Sequence, residues 1–259
     1  MQIAVLVKQV PDDPATTPLS PGGALDRSAG TGVTDPVDRN AVEAAVQLAE
    51  TAGGTVTVIA MGPEQTRATL KECVSVGATA GVHVSDAGLA GSDALATARV
   101  LAAAVRHVGP FDLLLAGARS SDGATAAVPA MVAELLDLPQ VTNVTAVEAE
   151  DGALLCTQVL DDGHARVRLP LPGLVSVDEY ANTPRYPSIK SKLTANKATF
   201  PVLTAADLGV GAVGHEAARA VVVATEEPPA RQPGQRITGT DARDVAEKLV
   251  AALADAGAL

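Results

Sequence analysis

The segment LLLAGARSSDGATAAVPA, residues 113–130, runs from a strand-like aliphatic stretch through small and polar residues into a helical pattern. Small side chains leave main-chain N–H groups accessible, and the serine and threonine hydroxyls of the segment are additional donors. Together with the positive end of a helix dipole, such donors bind a phosphate group without a lysine. A competing interpretation is that Ser121 or Asp122 only caps the helix and Gly123 only supplies the turn. Spacing by itself does not decide between them.

The other residue types that could carry chemistry show no catalytic pattern. The four histidines are scattered, and the chain has no G-x-S-x-G, H-E-x-x-H or Walker A motif. Cys73 and Cys156 lie in unrelated segments, which predicts two buried free thiols. Aromatic residues make up 2% of the chain, so a large planar cofactor would need walls from elsewhere. We therefore predict no catalytic residue and no metal site.

Composition and charge exclude several classes of partner. The chain of 259 residues is 47% apolar, which is ample for a buried core. Its net charge of −11 disfavours nucleic acid and anionic membranes, so any nucleotide must be captured by local groups. The start, MQIAVLVKQV, has no basic region, and no later stretch approaches the roughly 18 to 20 apolar residues of a membrane span. These features predict a cytoplasmic protein without membrane insertion.

The first half of the chain alternates between strand and helix patterns. Aliphatic runs predict strands at Gln2–Val7, Thr55–Met61, 81–85 and Asp112–Gly117. The charge and two prolines of Lys8–Pro14 predict a loop after the first strand. Amphipathic stretches predict helices that start at Asp35 and that span about 63–78 and 92–109. This alternation indicates a parallel sheet with right-handed crossovers, in which ligands bind at the carboxyl ends of the strands.

After Pro139 the pattern changes. Four short runs predict strands joined by turns in an antiparallel portion: Val141–Ala149, Ala153–Leu160, Ala165–Leu169 and Leu174–Val177. Residues 180–197, YANTPRYPSIKSKLTANK, are polar and contain prolines, which indicates a loop. The chain ends in a proline-rich link and an amphipathic helix. The predicted fold is therefore an α/β domain on a parallel sheet, with an added antiparallel portion and an extended C-terminal arm.

Six segments share their order and spacing with one known family: IAVLVKQVPD, DPVDRNAVEAA, AMGPEQTRATLKECVSVGA, LLLAGARSSDGATAAVPAMVAELLDLPQ, DDGHARVRLPLPGLVSV and NTPRYPSIKSKLTANK. On these residues the sequence resembles the β subunit of an electron transfer flavoprotein. The resemblance implies an electron carrier rather than an enzyme, with a structural AMP in this chain and the redox FAD held mainly by an α subunit. It also implies an adenine-nucleotide-binding, Rossmann-like and alpha-hydrolase-like domain over 1–199, and an arm over 200–259 that packs on the α subunit.

Carried over by position, the resemblance implies an AMP site at strand ends and helix starts, where the crevice argument also places a ligand. Its residues are Leu6, Asp35, Pro36, Val37, Asp38, Met61, Gly117, Ala118, Arg119, Ser120, Ser121, Asp122, Gly123, Ala124, Thr125, Ala126, Ala127 and Val128. For Asp35 and Pro36 a helix start is already a sufficient explanation. Only their coincidence with the other segments indicates a site.

The resemblance further implies a recognition loop over about 182–197. Its aliphatic anchor for a partner dehydrogenase would be Ile189, with Arg185, Lys190 and Lys192 as a basic island that steers the encounter. The alternative is that Ile189 folds back onto its own core. The partners implied are the α subunit, acyl-CoA or other flavin dehydrogenases of fatty acid oxidation, and a quinone-reducing acceptor.

Two alternative functions stay open. Family members that bifurcate electrons bind a second FAD in place of AMP, and the loop sequence does not separate the two ligands. A stand-alone adenine-nucleotide protein of the universal-stress or alpha-hydrolase type would share the fold. An ATP loop of the pyrophosphatase type would place S-G-G-x-D-S after the first strand, where this chain has KQVPDDP.

Overall fold

The computed structural model describes residues 1–13, 18–20, 23–27, 31–226, 229 and 233–259. The chain forms two compact units, Met1–Val223 and Ala224–Leu259. The arm predicted over 200–259 therefore begins within the first unit. No helix of the described part is long and apolar enough to cross a membrane.

The strands are β1 (Gln2–Val7), β2 (Gln9–Pro11), β3 (Gly32–Thr34), β4 (Thr55–Met61), β5 (Ala80–Val84), β6 (Leu113–Gly117), β7 (Gln140–Glu150), β8 (Ala153–Leu160), β9 (Gly163–Pro170), β10 (Gly173–Val177) and β11 (Val202–Leu203). The helices are α1 (Pro36–Ala52), α2 (Arg67–Ser75), α3 (Ala94–Val108), α4 (Val128–Leu136), α5 (Ile189–Asn196), α6 (Gly214–Ala217) and α7 (Ala242–Asp255). Short 3-10 turns occupy Glu64–Thr66 and Ala87–Leu89.

Nine strands form one sheet in the order β11-β5-β4-β1-β6-β10-β7-β8-β9, and β2 and β3 form a separate antiparallel pair. From β11 to β7 all neighbours are parallel, whereas β8 and β9 continue the sheet as an antiparallel meander. The predicted α/β fold with an antiparallel portion is confirmed.

The core lies on both faces of the sheet. Ile3, Val5 and Val7 of β1 pack in the cluster that contains α1 and α2, while Ala4 and Leu6 pack in the cluster of α3 and α4. A strand covered on both faces needs a continuous aliphatic run, which explains the β1 sequence. The chain passes from β1 through α1 to β4 on one side of β1, and later returns from β5 through α3 to β6 on the other side of β1. The strand order thus reverses at β1, and in open α/β sheets ligands generally bind at the carboxyl ends of the strands that flank such a reversal, which are β1 and β6 here.

Three local predictions were wrong. The strand at Leu174–Val177 belongs to the parallel part, because β10 lies between β6 and β7. Residues 9–11 of the predicted loop after β1 pair with β3. The predicted loop over 180–197 contains α5, whose first turn is capped by Ser188, with its side chain accepting a hydrogen bond from the Ser191 amide at 3.0 Å. A short helix with few apolar residues has no clear hydrophobic period, so the pattern did not reveal it.

Candidate functional site

The carboxyl ends of β1, β4 and β6 meet at one edge of the sheet. Leu6 is in register with Ile59 of β4 and Ala116 of β6, and Met61 and Gly117 are the last residues of their strands. The start of α1 lies at this edge as well, because Asp35 and Asp38 bind main-chain groups beside these strand ends. The structure thus brings the predicted segments together.

Asp35 joins the start of α1 to the loop after β6. Its side chain is fully buried and caps α1 by accepting a hydrogen bond from the Val37 amide at 3.0 Å. The other carboxylate oxygen accepts from the Ser121 amide at 2.7 Å and from the Ser121 hydroxyl at 2.9 Å. The Ser121 hydroxyl, predicted as a ligand donor, is therefore engaged within the protein.

Asp38 makes the second connection. Its carboxylate accepts hydrogen bonds from the Lys8 amide at 2.7 Å and the Gly117 amide at 3.0 Å. Burial, followed by the nearby charge of Asp35, raises the pKa of Asp38 to about 8. A Cβ atom at Gly117 would lie 2.5 Å from Asp38 Oδ1, so only glycine permits this approach of β6 to α1.

Two cations that the sequence interpretation missed lie at the loop. Lys8 Nζ is 2.5 Å from Asp122 Oδ1 and 3.2 Å from Ser120 Oγ, and Arg27 Nη2 is 2.7 Å from Asp122 Oδ2. Burial opposes ionisation of Asp122, but hydrogen bonds and charge from Lys8, with a further hydrogen bond from Arg27, lower its pKa to about 2. The position of Lys8 directly after β1 could have indicated that it lies at this edge of the sheet. Arg27 lies far from Asp122 in the sequence, and no local pattern indicated their contact. A lysine is therefore present at the loop, where the sequence interpretation had considered only main-chain and hydroxyl donors.

The loop leaves the start of α4 open. The N-cap residue of α4 is Ala127, whose side chain makes no capping hydrogen bond, so the interpretation that Ser121 or Asp122 caps the helix was wrong. The amides of Thr125, Ala126 and Ala127 have no hydrogen-bond partner among the described residues. An uncapped helix start and neighbouring free amides are the donors that an anion requires.

The rest of the predicted site is apolar or structural. Leu6 and Val37 are buried, and Met61 is half-buried and exposes most of the apolar surface of these three residues. Exposed Arg119 forms a weak ion pair with Glu179, at a distance of 3.9 Å.

Buried His83 contacts the carbonyl oxygens of Gly62 and Pro63 through Nε2, at 3.0 and 3.1 Å. These contacts give this histidine a structural role.

The predicted recognition segment separates into exposed and anchored residues. Ile189, at the start of α5, is 81% exposed, so the alternative that it folds back onto the core was wrong. Lys190 and Lys192 are exposed beside it. Arg185, in contrast, contacts Glu43 and Glu50 of α1.

Comparison with known proteins identifies relatives along almost the whole chain. A family model described as "Electron transfer flavoprotein domain" matches residues 23–208. The electron transfer flavoprotein subunit beta of Mycobacterium tuberculosis is 38% identical over 259 residues, covering 96% of this chain and 97% of the relative. The protein of the same name from Thermoanaerobacterium thermosaccharolyticum is 38% identical over 92% of this chain and 93% of its own. The caffeyl-CoA reductase-Etf complex subunit CarD of Acetobacterium woodii is 35% identical over 98% of both chains.

Proposed function

The chain belongs to the electron transfer flavoprotein β-subunit family, and from this premise we propose that it binds a structural AMP and docks to flavin dehydrogenases through residues 182–197. Relatives in this family are electron carrier subunits rather than enzymes. The FAD that accepts and passes on electrons would then be held mainly by the α subunit.

One observation carries the nucleotide part of the proposal: the amides of Thr125, Ala126 and Ala127 find no partner within the described part of the chain, in a loop whose Asp122 binds two cations, Lys8 and Arg27. In a chain of net charge −11, such a concentration of donors and positive charge fits a phosphate monoester. The phosphate would share Lys8 and Arg27 with Asp122.

The aliphatic lining supports AMP over a flavin as the ligand. Met61, with the small exposed parts of Leu6 and Val37, would provide surface for an adenine, whereas an isoalloxazine ring would need walls from another chain because aromatic residues are scarce. The adenylate would hold the ends of β1 and β6 and the start of α1 together. Its role in this proposal is architectural.

The unit after Val223 supports assembly with a second subunit. No residue of α7 is buried, and Leu249, Val250 and Leu253 leave apolar surface exposed. An amphipathic helix of this kind requires a surface to cover its apolar face. We propose that the α subunit provides it.

A second candidate is a bifurcating subunit with FAD in the nucleotide site. The observation that favours it is the similarity to the Acetobacterium woodii protein, whose name assigns it to a reductase–Etf complex. Identification of the nucleotides bound by the complex separates the two candidates.

The test is to co-express the chain with a candidate α subunit, purify the complex, release its nucleotides by denaturation and identify them by chromatography. One AMP and one FAD per heterodimer support the ordinary carrier. Two FAD molecules support the bifurcating subunit. Failure to assemble with the α subunit, together with ATP turnover by the isolated chain, would overturn the proposal in favour of a stand-alone nucleotide enzyme.

A further inference from the structure

Arg185 is anchored to α1 by five hydrogen bonds. Its Nε and Nη2 atoms donate to the two carboxylate oxygens of Glu43 at 2.8 and 3.1 Å, and its amide donates to Glu43 Oε2 at 3.1 Å. Its Nη1 and Nη2 atoms donate to the two oxygens of Glu50 at 2.7 and 3.0 Å. Both carboxylates are thus held by the planar fork of a guanidinium, a geometry that lysine cannot reproduce.

This cluster differs from an ordinary surface ion pair because Glu43 is buried, with 5% of its side chain exposed. Burial opposes ionisation of Glu43, but the hydrogen bonds from Arg185 and Gln47 hold its pKa below the usual value. A buried carboxylate without its partner is strongly unfavourable, so α1 and Arg185 hold each other in place.

A second contact reinforces the attachment three residues upstream. Asn40 Nδ2 donates to the Asn182 carbonyl at 2.8 Å, and Asn182 Nδ2 donates to the Asn40 carbonyl at 2.9 Å. Beyond α5, Ala195 and Phe200 are buried. The exposed residues of the recognition segment therefore lie between two anchored ends.

We infer that Arg185 is a positioning residue, which fixes the start of α5 on α1 so that Ile189 projects in one orientation for docking, and that it does not itself contact the dehydrogenase. This inference rests on the proposed docking function. It replaces the expectation that Arg185 steers the partner by its charge, because its guanidinium is already saturated by two carboxylates of its own chain.

Two substitutions distinguish positioning from direct contact. Arg185→Lys keeps the positive charge but loses the forked hydrogen bonds, and Glu43→Gln weakens the attachment while releasing the arginine. If Arg185 positions α5, both substitutions should raise the KM of the dehydrogenase for the heterodimer. If Arg185 contacts the dehydrogenase directly, Glu43→Gln should leave this KM unchanged or lower it. Matched controls are Arg166→Lys and Glu148→Gln, because this pair of exposed side chains, 3.5 Å apart, lies on the β7–β9 meander.

The assay uses the complete heterodimer and a purified acyl-CoA dehydrogenase reduced by its acyl-CoA substrate. We expect Arg185→Lys and Glu43→Gln to raise KM about three- to tenfold, as for the loss of one well-placed contact, with kcat and dithionite reduction of the flavin unchanged. In an Ile189→Ala background the same substitutions should change KM less than about twofold, because they act through Ile189. Additive effects would overturn the inference.

Hydrogen exchange provides a measurement that needs no dehydrogenase. Arg185→Lys should accelerate exchange of the α5 amides relative to wild type and to Arg166→Lys, and unchanged exchange would overturn the inference. If Ile189→Ala alone has no effect on KM, the docking function itself fails. If Ile189→Ala raises KM but Arg185→Lys does not, only the positioning role fails.

Discussion

The carboxylate of Asp35 accepts both hydrogen bonds that Ser121 donates, and thereby joins the first residue before α1 to a loop 86 positions later in the chain. Asp35 also caps α1. One buried side chain therefore links helix formation to the conformation of the candidate nucleotide loop.

Asp35→Asn should destabilise the protein and reduce its nucleotide content. An amide nitrogen in place of the second oxygen leaves the Ser121 N–H without an acceptor, at a cost of about 1–3 kcal/mol in the free energy of unfolding. Urea denaturation and chromatography of the released nucleotide provide the measurements. Asp93→Asn is the control, because Asp93 also accepts several main-chain hydrogen bonds but caps α3. Equal nucleotide loss in both variants would contradict the role of Asp35.

The raised pKa of Asp38 predicts a pH dependence of stability. Its folded pKa of about 8 exceeds the ordinary value of 3.8, so between these values the folded state binds more protons than the unfolded state. Stability should consequently fall as the pH rises from 4 to 8, by up to about 1.4 kcal/mol per pH unit. Denaturation of wild type and Asp38→Asn at pH 5, 6, 7 and 8 isolates the contribution. Parallel profiles for the two proteins would refute the raised pKa.

Gly117→Ala should be costly because the new methyl group would lie 2.5 Å from Asp38 Oδ1 and 3.0 Å from the Asp38 amide nitrogen. We expect a loss of about 1–3 kcal/mol in the free energy of unfolding. At Gly123 the nearest atom is Ser120 Oγ at 3.4 Å, so Gly123→Ala should change stability by less than about 0.5 kcal/mol. Chemical denaturation of both variants tests the difference, and similar losses would contradict the geometry.

Ala126→Gly should stabilise the protein. Ala126 has a φ of 52°, in the left-handed region that costs a residue with a Cβ atom roughly 1 kcal/mol. Glycine removes this cost, partly offset by its greater freedom in the unfolded chain. Ala130→Gly, within the first turn of α4, should instead destabilise by about 0.5–1 kcal/mol. Thermal unfolding ranks the two variants, and a lower Tm for Ala126→Gly would argue against strain in the loop.

Ile189→Ala should slow electron transfer from a dehydrogenase without changing flavin content. Burying the isoleucine in a partner is worth roughly 1.5–3 kcal/mol, so we expect KM to rise by about ten- to a hundredfold. Val202→Ala, a half-exposed aliphatic residue on the edge strand β11, is the control. Steady-state kinetics measure the KM of the dehydrogenase for each variant heterodimer. Equal KM values for Ile189→Ala and Val202→Ala would contradict the anchor role of Ile189.

The sequence was sufficient for the features that depend on local pattern. The bounds of β1, β4 and β8 agree with the prediction, because continuous or alternating aliphatic residues between turns leave one choice of strand. The start of α1 at Asp35 and Pro36 follows from capping chemistry that is confined to neighbouring residues. The family, and the segments that form the candidate site, were also readable in the sequence.

Only the tertiary structure decided which residues meet across the chain. Lys8 and Arg27 reach Asp122, and Arg185 reaches Glu43 and Glu50, over separations that no local pattern encodes. Charged side chains at the surface are individually unremarkable in a sequence, and their roles depend on which opposite charge folding brings within hydrogen-bonding distance. For the same reason the sequence indicated that Arg185 is a free charge that steers a partner, whereas in the folded protein it is paired with Glu43 and Glu50 of α1.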